Sequence, residues 1–419
     1  MCLSYSIFPL YLSLHKKAAR GGPGSAASAN GGDMSMRKLL TVILCVAVVA
    51  VYAGCKKGPG DAVKIGAIFS ISGPAAYLGS PESKSAQMLV DEINAKGGIN
   101  GKQVELIIKD SEGNPEKAIS FAKQLIEEEK VFAIIGPSTS GETMKIKTLC
   151  DESKMLLLSC AAAEVIVNPV AKYVFKTPQK DSHVARKIFE TMKKNGISKI
   201  GIISDNTGFG AAGKEQLEKI APEYGITILI SEVYNSKATD LTGVLAKLKG
   251  QNVQAVINWS IVPAQSIVAK NMKQIKLEAP LYQSHGFGNL KYAEEAGKAG
   301  DGIIFPVGRL LVADQLPDTN KQKALLQKFK KDYEARYKED VSAFGGYAYD
   351  ALIILFEGMK KAGVNDREKV RDAIEQIKGL PGTSGVFSFS PQDHNGLGMD
   401  SLVILTVKDG KFVPYEKLD

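Results

Sequence analysis

From Val63 onward the apolar residues follow two alternating rhythms. Short unbroken runs read as buried strands: VKIGAIFS (63–70), QVELIIK (103–109), VFAIIG (131–136) and MLLLSC (155–160). Between them the apolar positions recur at helical spacing. Ala86, Leu89, Val90 and Ile93 share one face, and Gly97-Gly98 stop that helix. Asn114-Pro115 supply an N-cap and a first-turn proline for a helix reaching Glu129, and GPSTSGET opens a third. Strands alternating with helices predict an α/β chain with parallel sheets covered on both faces.

The pattern then restarts. SKIGIISD (198–205) echoes VKIGAIFS, and VQAVIN (253–258) echoes VFAIIG, so two similar α/β domains are expected. VFKTPQ (174–179) reads as a first crossing between them and IIFPVG (303–308) as a second. Helices follow at about 320–337, 342–361 and 367–378, and LVILTV closes the chain. The implied division is an upstream extension and signal over 1–54, one lobe from 61–178 and 308–386, and another from 179–307 and 387–419. Ligands of such sheets sit outside the carboxyl ends of the strands. Two facing domains therefore place candidate residues in SGPAAYLG, GPSTSGE, SCAAAE, DNTGFG, SIVPAQ and SHGFG.

Upstream of the body, Met36-Arg37-Lys38 precede an apolar run from Leu39 to Ala53, the layout of a secretory signal. The run is shorter than the roughly 17–25 residues a spanning helix needs. It ends in Tyr52-Ala53-Gly54-Cys55, which resembles a bacterial lipoprotein signal, although Tyr52 stands where Leu or Val is usual. Cys55 is thus the expected lipidation site, leaving the mature chain tethered to a membrane on its periplasmic side. Residues 1–33 fit neither a signal nor a domain, so Met34 or Met36 is the expected start.

Composition narrows the chemistry. The 53 basic and 45 acidic residues give a net charge of +8. About half of that excess lies upstream of Cys55, and the remainder is spread out, which does not suggest nucleic acid. Besides Cys55, only Cys150 and Cys160 lie in the body. An oxidising compartment permits a bridge between them, and two buried thiols are the equal alternative. No CxxC and no Cys/His cluster indicates a metal.

Gly208-Phe-Gly210-Ala-Ala-Gly213 satisfies GxGxxG after a strand, with Glu232 where a ribose-binding acid would lie. However, Asp205-Asn206-Thr207 lengthen the turn, and Glu215 follows Lys214 where a phosphate loop needs Ser or Thr. An exported chain also rarely meets nicotinamide cofactors. The body holds His183, His285 and His394 but no GxSxG elbow. No enzyme activity and no cofactor are expected.

The segments IGAIFSISGPAAYLG, LVDEINAKGGINGKQVELIIKD, FAIIGPSTSG, VFKTPQ, SDNTGFG and SAFGGYAYDAL resemble the periplasmic solute-binding proteins of ABC importers. The branch is the leucine/isoleucine/valine-binding family of type I periplasmic binding proteins. The resemblance runs from Val63 to the C-terminus. It implies two Rossmann-like three-layer lobes joined by a three-stranded hinge and closing over one ligand. It also implies permease partners, a small-molecule ligand, a role in branched-chain amino acid transport and a monomeric chain.

In GPSTSGET, Thr139 and Ser140 precede a helix, where free N–H groups and the dipole favour an anion. In the family this loop binds the ligand carboxylate, helped by a backbone N–H from the segment matching Ala161 to Ala163. Simple helix capping is the alternative. The family's amino-acid binders hold the ammonium with a threonine and an acid; here Ala163 and His285 stand at those positions. An ammonium without acceptors is costly to bury, and a neutral imidazole carries no negative charge. Both departures point to an aromatic or aliphatic acid lacking the amine, unless Glu164 has become the acceptor. Phe209 and Ile261 replace tyrosines, Phe344 keeps an aromatic, and Leu78 or Tyr77 is expected on the opposite wall. HGFG, LLVADQLPD and SAFGGYAYD also look like members that bind aromatic acids. A ligand-sensing receptor subunit on the same fold is a further alternative.

Overall fold

The computed structural model describes residues 62–418; the proposed start, signal run and Cys55 lie outside the described residues. Five parallel strands form a first sheet: β1 (Val63–Phe69), β2 (Val104–Asp110), β3 (Ala133–Ile135), β4 (Leu156–Ser159) and β5 (Val174–Lys176), in the order β2-β1-β3-β4-β5. The helices α1 (Ala76–Ala95), α2 (Pro115–Glu127) and α3 (Ser140–Glu152) connect them. Each starts as the sequence dictates. Asn114 caps α2, with Pro115 in the first turn. Thr139 and Glu142 form a reciprocal capping box on α3. α2 ends at Glu127, slightly short of the expected Glu129.

Chain crossing through Thr177–Lys180 leads to α4 (Asp181–Lys194) and a seven-stranded second sheet. Its order is β14-β13-β10-β9-β8-β6-β7. β6 (Lys199–Asp205), β7 (Thr227–Tyr234), β8 (Ala255–Trp259), β9 (Leu281–Gln283) and β10 (Ile304–Val307) run parallel. α5 (Gly208–Ile220), α6 (Thr242–Gly250), α7 (Gln265–Gln274) and α8 (Leu290–Ala296) link them. Here the sheet departs from the all-parallel expectation: β13 (Val403–Lys408) pairs antiparallel with β10 and with β14 (Lys411–Pro414). The chain enters β13 after the short 3-10 turn Met399–Ser401, not from a helix packed on this sheet. Asp409 and Gly410, at φ 51° and 70°, make the tight turn that joins the pair.

α9 (Lys323–Tyr337), α10 (Ala343–Ala362) and α11 (Arg367–Glu375) follow β10, and α10 packs against α1. A short ribbon, β11 (Leu380–Pro381) with β12 (Val386–Phe387), precedes the last crossing. Asp350 of α10 anchors the connecting turn. It accepts from Thr383 N at 2.6 Å, Thr383 Oγ1 at 3.0 Å, Ser384 N at 2.8 Å and Ser384 Oγ at 2.6 Å. Asn395 then donates to Pro178 O at 2.7 Å, tying the returning chain to the first crossing.

Cys150 and Cys160 are both free and buried. The glycine motif has a packing explanation. A Cβ at Gly213 would fall 1.9 Å from Trp259 Nε1, and one at Gly210 would fall 2.0 Å from Asp205 O. These glycines let α5 lie close on the second sheet. Among the described residues no helix is long and apolar enough to cross a membrane.

Candidate functional site

Three hollows differ by where they lie on the sheets. Two open grooves, one by Lys64, Phe132 and Arg367 and one by Met272, Pro280 and Ile303, sit at the amino ends of the strands. The third is a small hollow with about 280 Å³ of space between atoms, open solvent included, lined only from the carboxyl-end side. Leu78 follows β1, Ser138 and Ser140 follow β3, and Cys160 to Ala162 follow β4. Phe209 follows β6, Ile261 follows β8, His285 and Gly286 follow β9, and Phe344 and Tyr347 come from α10. Strand polarity sets aside the two grooves; two further hollows, one by Tyr77 and Asn289 and one by Thr139, Phe209 and Ile261, share the carboxyl-end side with this cavity.

Each wall is locked by backbone chemistry. Asp205, at the end of β6, accepts from Thr207 N at 2.8 Å and Ser260 Oγ at 2.7 Å. One carboxylate thereby fixes the turns that carry Phe209 and Ile261. Ser284 caps the short turn His285–Phe287, which aims the imidazole inward. His285 lies edge-on to Phe209 and Trp259, with centroids 5.4 Å and 5.9 Å apart. Ser140 is 2 % exposed and occupies the first turn of α3; its hydroxyl accepts from Ala163 N at 3.2 Å. That leaves the Ser140 proton available to a guest oxygen.

Of the residues expected from sequence, Leu78, Ser140, Ala161, Phe209, Ile261, His285 and Phe344 meet around this cavity. Thr139, Ala163 and Tyr77 do not line it. Thr139 caps α3. Ala163 is buried beside the cavity, engaged through its N–H with Ser140. Tyr77 points to the surface, where its hydroxyl bonds Glu295 at 2.5 Å. Glu164, the alternative acceptor for an ammonium, is occupied elsewhere: it accepts from Ser182 N at 3.2 Å and Asn168 Nδ2 at 3.4 Å.

Four lining residues were not singled out from sequence: Ser138, Cys160 and Gly286, which lie within the expected loops GPSTSGE, SCAAAE and SHGFG, and Tyr347. Ser138 donates to buried Glu82, whose carboxyl is pushed well up by desolvation. Burial also raises the Cys160 thiol well above its usual range, so it is a small apolar wall and not a thiolate.

The cavity is closed. Gly208, first in α5, stands against Gly141 in the first turn of α3, so close that a Cβ at Gly208 would lie 3.0 Å from Gly141 Cα and N. Asn289 Nδ2 donates to Tyr77 O at 2.9 Å, joining the Tyr77–Glu295 hydrogen bond between the halves.

A family model described as periplasmic binding protein matches residues 62–411. The chain is 28% identical over 318 residues to a leucine-, isoleucine-, valine-, threonine- and alanine-binding protein of Pseudomonas aeruginosa, covering 75% of this chain and 82% of that one. An extracellular ligand-binding receptor from Rhodopseudomonas palustris HaA2 superposes with TM-score 0.79 at 27% identity, over 84% of this chain and 99% of that one. LivJ, the branched-chain amino acid transporter substrate binding protein of Streptococcus pneumoniae, was solved with isoleucine. It superposes with TM-score 0.74 at 26% identity, over 84% of this chain and 97% of that one.

Proposed function

The chain belongs to the periplasmic binding protein family, and we propose that it is the extracytoplasmic solute-binding subunit of an ABC importer for a small acid lacking an α-amine. Cys55 anchors it by lipid to a membrane, and the permeases of the importer receive the closed, loaded form. The work is capture and release by hinge closure, without covalent chemistry. Residues 61–178 with 308–386 form one lobe, and 179–307 with 387–419 the other.

One observation carries the choice of ligand. The cavity joins a helix N-terminus, a serine hydroxyl and a histidine to apolar walls, and no carboxylate lines it. An anion gains N–H groups and a favourable dipole at Ser140. A primary ammonium entering the same space finds no lining acceptor with negative charge, and an unpaired buried cation is strongly disfavoured. Leu78, Phe209, Ile261 and Phe344 suit an aromatic ring or a branched chain.

The second reading is a hydrophobic amino acid. The names of the relatives favour it, and so does a buried carboxylate, Asp181, whose Oδ1 lies 4.0 Å from His285 Nε2. A thermal-shift panel separates the two. Benzoate and 4-methylpentanoate should raise the melting temperature more than leucine and valine. A guest at a hundredfold excess over Kd stabilises by ~2.7 kcal/mol. A strong shift with leucine and none with 4-methylpentanoate would replace the first reading by the second.

A further inference from the structure

Behind the cavity wall lie three titratable groups, all from elements that meet at the first crossing. Lys176 ends β5, Asp181 opens α4, and His285 follows β9; all three are buried, at 0 %, 0 % and 2 % exposure. The Lys176 ammonium is satisfied, donating to Ala162 O and to Gln179 O at 3.0 Å. The other two are not: neither oxygen of Asp181 and neither nitrogen of His285 has a partner. Their nearest atoms, Asp181 Oδ1 and His285 Nε2, are 4.0 Å apart. An approach of about 1 Å would make a hydrogen bond. Leaving a buried polar group unpaired is costly, more so when it is charged, and this cavity leaves two facing each other.

We propose that Asp181 is the positioning partner of His285: when an acid occupies the cavity, Asp181 orients the ring through Nε2 and holds it as the imidazolium, so that Nδ1–H is presented to the guest. This rests on the acid reading. It also explains how a histidine at this position serves an anion. A carboxylate on one ring nitrogen fixes the tautomer and raises the basicity of the other.

The proton is already in the pair. Burial pushes the Asp181 carboxyl up to about 8, against the pull of Lys176. Burial, with Lys176 beside it, holds His285 down to about 3. In the empty cavity the proton therefore sits on Asp181 and the imidazole is neutral. A guest anion beside the ring reverses that order. The O–H bond of Asp181 breaks, an N–H bond forms at Nε2, and no proton is exchanged with solvent.

The other charged groups facing the cluster are committed elsewhere. Glu164 bonds Ser182 and Asn168. Lys180 and Asp393 pair with each other at 2.9 Å. His183, in the same first turn of α4, has no partner at Nδ1 and is held below its usual range by burial. Lys176 remains as the cation, although burial lowers its ammonium to about 8, so at pH 7 the ligand-free cluster carries one excess positive charge and a bound acid neutralises it.

The test is ¹⁵N NMR of the histidine rings in the soluble chain from residue 56, with His285 assigned by difference from His285→Gln. The probes are benzoate and 4-methylpentanoate. The expected result is a neutral His285 ring in the free protein, converted to imidazolium by the acid at pH 7. In Asp181→Asn the ring should stay neutral while acid is bound, with affinity down about tenfold and an unchanged fold by circular dichroism. A wild-type ring that stays neutral with acid bound overturns the proposal. An imidazolium in Asp181→Asn also overturns it, because another group would then supply the charge. If neither acid binds at all, the acid reading itself fails and takes this inference with it, a result distinct from binding without protonation.

Discussion

Gly208→Ala tests whether closure of the halves is what confers affinity. The added methyl would sit 3.0 Å from both Cα and N of Gly141 and 3.7 Å from Ser140 C. These are backbone atoms of the opposite half, at the start of a capped helix, so no side-chain rotation relieves the contact. Relief comes from opening. Overpacking of this kind typically costs ~1–3 kcal/mol, and here it falls on the closed form alone. The apparent Kd is the intrinsic value divided by the closed fraction. Titration calorimetry should therefore show affinity for benzoate weakened by about 5- to 150-fold. The ligand-free melting temperature should not fall, because alanine at a helix start is tolerated and the open form has no clash. Gly141→Ala is the matched control. Its Cβ would meet only Gly208 N, at 3.9 Å, an ordinary contact, so its affinity should stay near wild type. Equal affinities for both variants, or a lower ligand-free melting temperature for Gly208→Ala, would refute the argument from closure.

Ser140→Ala should weaken carboxylate binding by ~1.5–3 kcal/mol, the worth of a hydrogen bond to a charged group, with calorimetry as the check; an unchanged Kd removes Ser140 from the site. Asp350→Asn should remove a pH dependence of stability. The buried carboxyl is raised to about 6 by desolvation, above its unfolded value near 3.9. The folded state therefore holds the proton more tightly, and stability falls as pH rises from about 4 to about 6, by ~3 kcal/mol. Urea titrations of wild type and Asp350→Asn across that range should differ in slope by this amount, and parallel curves would count against it.

The alternating strands and helices were legible because both periods are strong. Each buried parallel strand is an unbroken apolar run, and the start of α3 announces itself by Thr139 and Glu142 three residues apart. The antiparallel end was missed although its signal was in view. LVILTV is followed by KDGKFV, and Asp-Gly between apolar runs is the strongest short hairpin cue. In the site, strand polarity pointed to the loops after the strand ends, and the resemblance singled out residues within them. Lys176 and Asp181 were not singled out, because a charged residue beside VFKTPQ reads as solvated until the fold puts it inside. Ser138, Cys160 and Tyr347 carry no motif; only the convergence of the segments after six strands with α10 brings them to one cavity.

That convergence bears on the proposed preference for an acid. Closing the halves brings the N-terminus of α5 against that of α3, at Gly208 and Gly141. Each end carries roughly half a positive charge, so closure alone sets like ends together. Lys176 adds positive charge beneath the same cavity, although burial lowers its ammonium to about 8. An anion between the helix ends converts that repulsion into attraction and so favours the closed form over the open one. A zwitterion adds its own ammonium to a surrounding that already holds two helix ends and a lysine. To bind as tightly it must also ionise Asp181, whose proton burial retains. With an acid that proton passes to His285, 4.0 Å away, whereas beside an ammonium an imidazolium is unwelcome and the proton must leave for solvent.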